Sequence, residues 1–298
     1  MSLEIETALV NTYKANIEIQ FQQKGSRLRS TVSNESQKAE FDFYDRIGPT
    51  DAVENNNRHG DTPLISTPHD RRRIGLRDFD WADMIDRKDK IRMLADPTSP
   101  YTMNAVYAMG RKMDDSIIAA ATGTAYTGKT GSTTVTHPSA SQVAVNYVES
   151  GAAAASNLTI AKLRRIRFLL TSTEAVNEED EEMLTAVVTA SQIQALLRTT
   201  EVTSADYNVV KALVNGHVDT FMGFKFKRTE RITKSGNNRT CLFYPPSAIK
   251  LAVGEDIVVD VGPRRDKRNS VQIYVCASFG ASRMWEEKVI SCLCDETV

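Results

Sequence analysis

Apolar residues recur in this chain with two different periods, and the changes from one to the other divide it into segments. Val10, Tyr13, Ile17 and Phe21 stand three and four apart, the spacing of one helix face, and Gly25 follows where a left-handed cap would end the helix. Over residues 38–43 the period drops to two. Ala39, Phe41 and Phe43 fall on one side and Glu40 and Asp42 on the other, which predicts a half-buried strand. Residues 48–70 are polar and broken by Pro49, Gly60, Pro63 and Pro68. About 20 residues without a pattern is long for the interior of a domain, so a projecting loop or arm is expected there. Alternation returns from Arg73 to Phe79, with Ile74 and Leu76 opposed to Arg73 and Arg77. A return strand after a long excursion predicts a two-stranded extension. Residues 81–94 read as a helix capped by Asp80, although its apolar face is ragged.

The longest helical pattern follows. Ser99 suits an N-cap and Pro100 a first turn. Met103, Val106, Tyr107, Gly110, Met113, Ile117 and Ala121 mark one face. About 22 residues at 1.5 Å each give roughly 33 Å, long enough to be the spine of the molecule. Residues 122–157 are rich in Gly, Ser, Thr and Ala and read as loop, with one weak strand near 143–148. A second helix buries Ile160, Leu163, Ile166 and Leu170, while Lys162, Arg164, Arg165 and Arg167 read as its solvated remainder. Five consecutive carboxylates within residues 177–182 repel one another and belong on solvent. From Met183 onward the pattern is α/β. A strand is expected over 184–188, then short helices capped by Ser191 and Ser204. Strands follow at 221–226, 241–244, 257–261, 271–279 and 284–293.

Composition narrows the function. The 298 residues carry 37 Lys+Arg against 38 Asp+Glu, a net charge of −1. A protein whose main task is wrapping nucleic acid shows a basic surplus. No apolar run approaches the ~20 residues that cross a bilayer, so no membrane contact is expected. The first ten residues lack a basic region followed by an apolar one, so no export signal is expected and the chain should remain soluble in a cytosol. The four cysteines (241, 276, 292 and 294) do not suggest a disulfide framework in a chain this long. Cys292 and Cys294 share one strand face, but no second pair completes a four-ligand zinc site. Reduced, partly buried thiols are the expectation.

One motif suggests chemistry. Gly123-Thr124-Ala125-Tyr126-Thr127-Gly128-Lys129-Thr130 matches the phosphate-loop pattern, and Asp260 ends an apolar run that could serve a magnesium ion. Such a loop works because its amides converge at the N-terminus of a helix, which favours an anion. A strand must precede it and a helix must follow. Here a long helix precedes, and the following Gly-Ser-Thr-Thr-Val-Thr-His-Pro run opposes a helix. His59, Asp61, His69 and Asp70 lie close in sequence but are separated by prolines. Neither a Gly-x-Ser-x-Gly elbow nor a Cys beside a His is present.

Four stretches resemble, in order and spacing, the major capsid proteins of short-tailed and related bacteriophages. The first is Gln22-Gln23-Lys24-Gly25-Ser26-Arg27-Leu28-Arg29. The second is Arg58-His59-Gly60-Asp61-Thr62-Pro63 leading to Thr67-Pro68-His69-Asp70-Arg71-Arg72. The third is Ala95-Asp96-Pro97-Thr98-Ser99 with Gly110-Arg111-Lys112-Met113-Asp114-Asp115. The fourth runs from Gly216-His217-Val218-Asp219 through Phe221-Met222-Gly223-Phe224 to Glu230-Arg231-Ile232.

The resemblance covers roughly residues 5–290 and implies the α+β Hong Kong phage capsid fold. Its parts would be an N-terminal arm (1–48), an extended two-stranded loop (49–95), a peripheral domain with the spine helix (96–181 and 265–298) and an axial α/β domain (182–264). The implied function is that of a non-enzymatic major capsid protein. It would assemble into pentamers and hexamers of an icosahedral shell around double-stranded DNA, inside the bacterial host cytoplasm, with no cofactor and no metal. Its partners would be copies of itself, portal and scaffolding proteins, a cement protein, and DNA held without sequence preference. No long N-terminal coiled segment is visible, which points to a separate scaffold, and no Lys–Asn crosslink is carried over. The residues expected to contact neighbouring subunits are Phe41, Phe43, Arg71, Arg73, Ile74, Leu76, Arg77 and Phe79. The rival readings are an NTPase using residues 123–130 and a small binding protein with a mobile loop.

Overall fold

A computed structural model describes residues 22–56, 60–86, 98–176, 183–198 and 220–297. The regular elements run β1 (Ser33–Ser36), β2 (Phe41–Ile47), β3 (His69–Gly75), β4 (Arg77–Ile85), α1 (Thr98–Thr122), β5 (Ala125–Thr127), β6 (Thr133–Val135), β7 (Gln142–Val143), α2 (Ile160–Ser172), β8 (Leu184–Val188), α3 (Ala190–Leu197), β9 (Thr220–Phe221), β10 (Phe224–Arg228), β11 (Lys234–Ser235), β12 (Asn238–Tyr244), β13 (Ile249–Arg264), β14 (Ser270–Arg283) and β15 (Ile290–Asp295). The N-terminal helix, the acidic run at 177–182 and the helix expected after Ser204 lie outside the described residues.

The chain forms two compact units. One comprises Met1–Ser26, Arg77–Met113 and Glu255–Ser278; the other comprises Arg27–Leu76, Asp114–Gly254 and Phe279–Val298. In the first unit, the distal part of β13 lies beside β14, and β14 beside β4. Here the expected helix at 81–94 is corrected over its first residues, because Trp81–Ile85 continues strand β4; its remainder from 87 on lies outside the described residues. Phe79, Trp81, Asp83 and Ile85 stand two apart on the less exposed side, a strand period that the ragged helical reading obscured. The first half of α1 buries Ala105, Met109 and Met113. Met103, expected on the buried face, is exposed, whereas Met113, Ile117 and Ala121 of the same predicted face are buried.

The second unit is built on a seven-stranded sheet ordered β7-β15-β12-β8-β10-β9, with β11 added to β12. All five residues of β8, Thr185 among them, are buried, as expected of a strand flanked by paired strands on both sides. Helix α2 lays Leu163, Ile166 and Leu170 on this sheet, and Phe224 meets Phe243 edge-on with centroids 5.4 Å apart. Lys162 is corrected from the solvated face to the core. Its Nζ donates to Ser156 O at 2.7 Å and Leu293 O at 3.0 Å. Met222 and Gly223 join β9 to β10 with φ of 53° and 81°, the paired positive values of a two-residue hairpin. Helix α3 starts earlier than Ser191, where Thr189 and Gln192 form a capping box.

Cys241 faces Cys292 across the β12–β15 pair, and the Cys292 and Cys294 sulfurs are 3.8 Å apart. Hydrogen bonding to Cys294 and complete burial push Cys241 and Cys292 well above the usual thiol range. Cys276 lies instead in the first unit, half-exposed, with Sγ 4.0 Å from Glu255 Oε2. All four cysteines are free.

Candidate assembly surface

A smaller sheet in the second unit, ordered β2-β3-β5-β6, carries the segment expected to project. Strands β2 and β3 pair antiparallel from Phe41↔Gly75 to Ile47↔His69. The chain between them, residues 48–68, has no regular structure where it is described. Its ends are tied by Gly48 N–H donating to Pro68 O at 3.0 Å. The two strands of the extension are therefore 41–47 and 69–75. The return strand read from Arg73 to Phe79 is divided at Leu76: β3 pairs with β2, and β4 joins β14.

The exposed apolar residues concentrate here. Phe41 is 47%, Ile47 61% and Leu64 97% exposed, and Val53 and Ile65 are also uncovered. Arg73 stacks on both Phe41 and Tyr126, with centroid distances of 4.9 and 4.8 Å. Arg71 lies 5.6 Å from the Phe43 centroid and pairs with Asp45 at 3.0 Å. Cations held over exposed and half-buried rings form a surface that is apolar in its contacts yet wet at its rim. Leu76 is half-buried and donates its N–H to Glu40 O at 2.9 Å. Arg77 is exposed, and in the first unit Phe79 lies under Lys112 at 5.6 Å.

Ile74 requires a correction. It is 1% exposed, packed inside its own unit, and has no surface to offer a neighbour. The alternating face to which it belongs is the inner one, with the fully buried Arg72. Beneath the sheet, Asp70 accepts hydrogen bonds from Thr127 and Arg46. Partial burial works to raise its pKa, but these bonds, with the Arg71 amide, hold it near 2.

The phosphate-loop reading does not survive. Ala125–Thr127 is strand β5, hydrogen-bonded to β6 through Ala125↔Val135 and Thr127↔Thr133. Gly128 and Gly131 turn between them with φ of 87° and 67°, and Gly131 N–H donates to Gly128 O at 3.0 Å. The motif is a hairpin that follows a helix, so no helix N-terminus gathers its amides. Asp260 lies on the exposed distal part of β13, in the other unit. Among the described residues no group of three His, Cys, Asp or Glu is arranged to hold a metal, and no helix is long and apolar enough to cross a membrane.

Sequence reasoning quoted several segments without seeing that they meet. In the first unit, Gly25 and Ser26 lie directly on α1 at Gly110, where an added Cβ would stand 2.5 Å from their backbone. Arg111 Nη1 donates to Gln22 Oε1 at 2.5 Å, and Gln22 donates to Asn104 at 2.9 Å. In the second unit, the Arg27 and Leu28 amides donate to the buried Asp114 carboxylate at 3.0 and 3.1 Å. Arg231 donates to both oxygens of Asp115. The signal available was a small residue at Gly110 and two acids, Asp114 and Asp115, one turn further along the helix.

A family model described as phage capsid protein matches residues 5–296. The chain belongs to the phage capsid protein family. This capsid-family chain is also similar to solved capsid structures along nearly its whole length. The capsid of cyanophage P-SCSP1u aligns with a TM-score of 0.74 at 14% identity, covering 97% of this chain and 94% of that one. The capsid of Ralstonia phage GP4 gives 0.72 at 12%, covering 96% and 95%. A structure from Mycobacterium phage Che8 gives 0.69 at 13%, covering 96% and 97%. At these identities the likeness establishes the α+β capsid fold. No curated protein matches the sequence. A capsid family is structural rather than catalytic, and the place of its members is the virion shell.

Proposed function

We propose that this chain is the major capsid protein of a tailed bacteriophage. Its copies close into rings of five and six by head-to-tail contacts, and the rings join into an icosahedral shell around double-stranded DNA. Assembly takes place in the host cytoplasm on a separate scaffold, with a portal at one vertex and a cement protein as a further partner. The near-neutral charge suits a container that confines DNA without reading it. The observation that carries this reading is the family match over residues 5–296. Residues 1–48 act as the arm and 49–68 as the projecting part of the extended loop. Because β15 and α2 share the seven-stranded sheet with β8, β10 and β12, we assign them to the axial part, instead of the peripheral part expected from sequence.

The interface residues follow from exposure. Phe41, Leu64 and Ile65 are uncovered apolar side chains on a thin sheet and its loop, and a two-stranded ribbon is marginal alone. Burying each against a neighbour is worth about 1.5–3 kcal/mol, multiplied over many contacts in a shell. Phe43, Arg71, Arg73 and Leu76, in the same unit, line that contact, and Arg77 and Phe79 are proposed as neighbour contacts of the other unit.

The test is the triple variant Phe41→Ser, Leu64→Ser, Ile65→Ser. It should keep the circular dichroism of the folded subunit and lose at least tenfold of the material sedimenting as shells. Unchanged assembly would remove this surface from the interface. A native chain that remains monomeric at high concentration with scaffold present would overturn the capsid reading.

A further inference from the structure

Behind the β2–β3 ribbon lies a cluster of charge that its own residues do not balance. Arg72 and Arg283 are both 0% exposed, and the Arg46 side chain is nearly so. All three guanidinium groups converge on one carboxylate. Glu286 Oε1 is in contact with Arg72 Nη2 and lies 3.9 Å from Arg283 Nε, and Oε2 lies 3.4 Å from Arg46 Nη1. The second carboxylate is Asp70, paired with Arg46 and partly exposed. Three permanent cations thus face two anions. The remaining nearby acid, Glu287, is exposed, where water screens it.

The donors are also unequally served. Arg283 Nη1 donates to Ala121 O at 2.8 Å and to Gly123 O at 3.0 Å, and Arg46 Nη1 donates to Met284 O. Arg72 Nε and Nη1, Arg283 Nε and Nη2, and Arg46 Nε are buried and meet no acceptor among the described residues. A buried N–H without a partner costs about 1–3 kcal/mol, and more on a charged group. A buried guanidinium cannot escape by losing its proton. Water would satisfy the N–H groups but leave the surplus charge.

We propose that Arg72 and Arg283, beside Glu286, bind a small monovalent inorganic anion of the chloride class. One such ion closes the balance of three cations against two carboxylates and accepts several N–H donors from both guanidinium groups at once. Its size suits a tightly packed setting. The adjoining Glu286 and Asp70 carboxylates repel a divalent oxyanion such as sulfate. The site thereby joins β3 and β14 to the end of α1 through Arg283.

The experiment is thermal unfolding of the full-length chain while chloride replaces gluconate at constant ionic strength. The midpoint should rise with the logarithm of chloride; once the site is nearly saturated, each tenfold increase should correspond to about 1.4 kcal/mol of stability. Bromide should act like chloride and sulfate should not. Arg72→Gln should abolish the dependence, and a folded Arg72→Gln variant that keeps it would overturn the assignment. If that variant does not fold, bromide located by anomalous diffraction in the native protein decides. A peak within hydrogen-bond distance of Arg72 and Arg283 supports the site. A flat chloride response, or bromide found only elsewhere, overturns it and leaves ordered water as the partner.

Discussion

His137 stands in the loop after β6, its Nε2 3.2 Å from Ser291 Oγ and its Nδ1 buried without a partner among the described residues. Burial, and then the positive charge of Arg283, lower its pKa to about 4, against smaller opposing pulls from the Ser141 backbone and Glu286. The folded state therefore prefers the neutral ring. An unfolded chain takes up the proton near pH 6.5, so stability is full above that value, declines as pH falls, and the loss is complete near pH 4. Discounted for the partial exposure of the ring, the loss should be about 1–2 kcal/mol. Denaturant unfolding of the native chain at pH 7, 6, 5 and 4 measures it. The His137→Gln variant should be flatter over that window, and an equal slope in both would assign the acid sensitivity to other groups. Nothing in the sequence around His137 announced this, because its partners lie more than a hundred positions away at Arg283 and Ser291.

At the scale of elements, α1 was legible because its apolar residues recur over several turns, and β8 because a short run of β-branched and apolar residues, Leu184 to Val188, suits a buried strand. The strand at 77–85 was read only as far as Phe79 and missed from Trp81 on, where charged and apolar residues alternate, since a short helix tolerates the same composition. The hairpin at 125–135 shows the opposite error avoided: a matching motif counts only if its neighbours supply the geometry that gives it force. The segment before residue 27 comes into direct backbone contact with α1 at Gly110. Because Gly25 and Ser26 occupy the space of its missing side chain, Gly110→Ala must either displace the arm or bend the helix. We expect a loss of about 2–4 kcal/mol in unfolding free energy and faster proteolysis within residues 22–26. Intact protection of that segment in the variant would show that the helix yields instead.

For the whole molecule, the expected parts each take one or two consecutive stretches, whereas each compact unit gathers three separate ones. The chain passes between its two units repeatedly, and strands β13 and β14 each contribute to both. Linear boundaries such as 181/182 and 264/265 cannot describe units assembled from three distant stretches. The candidate contact surface was partly legible for a related reason: alternation shows that one face of β3 is inward but not which one, so Ile74 was offered to a neighbour although it lies inward, while Arg71 and Arg73 lie on the outer face.

The thiol arrangement has a practical consequence. Three cysteines are sealed in the seven-stranded sheet and two of them resist ionisation, whereas Cys276 is half-exposed in the other unit. A folded subunit should therefore react with one equivalent of a maleimide dye, at Cys276 alone, and with four only in denaturant. Mass spectrometry of the labelled chain checks the count, and a Cys276→Ser variant should remain dark. Each shell would then carry one dye per copy in a regular lattice, so that energy transfer between neighbouring dyes would report the growth of a particle in solution without any engineered tag.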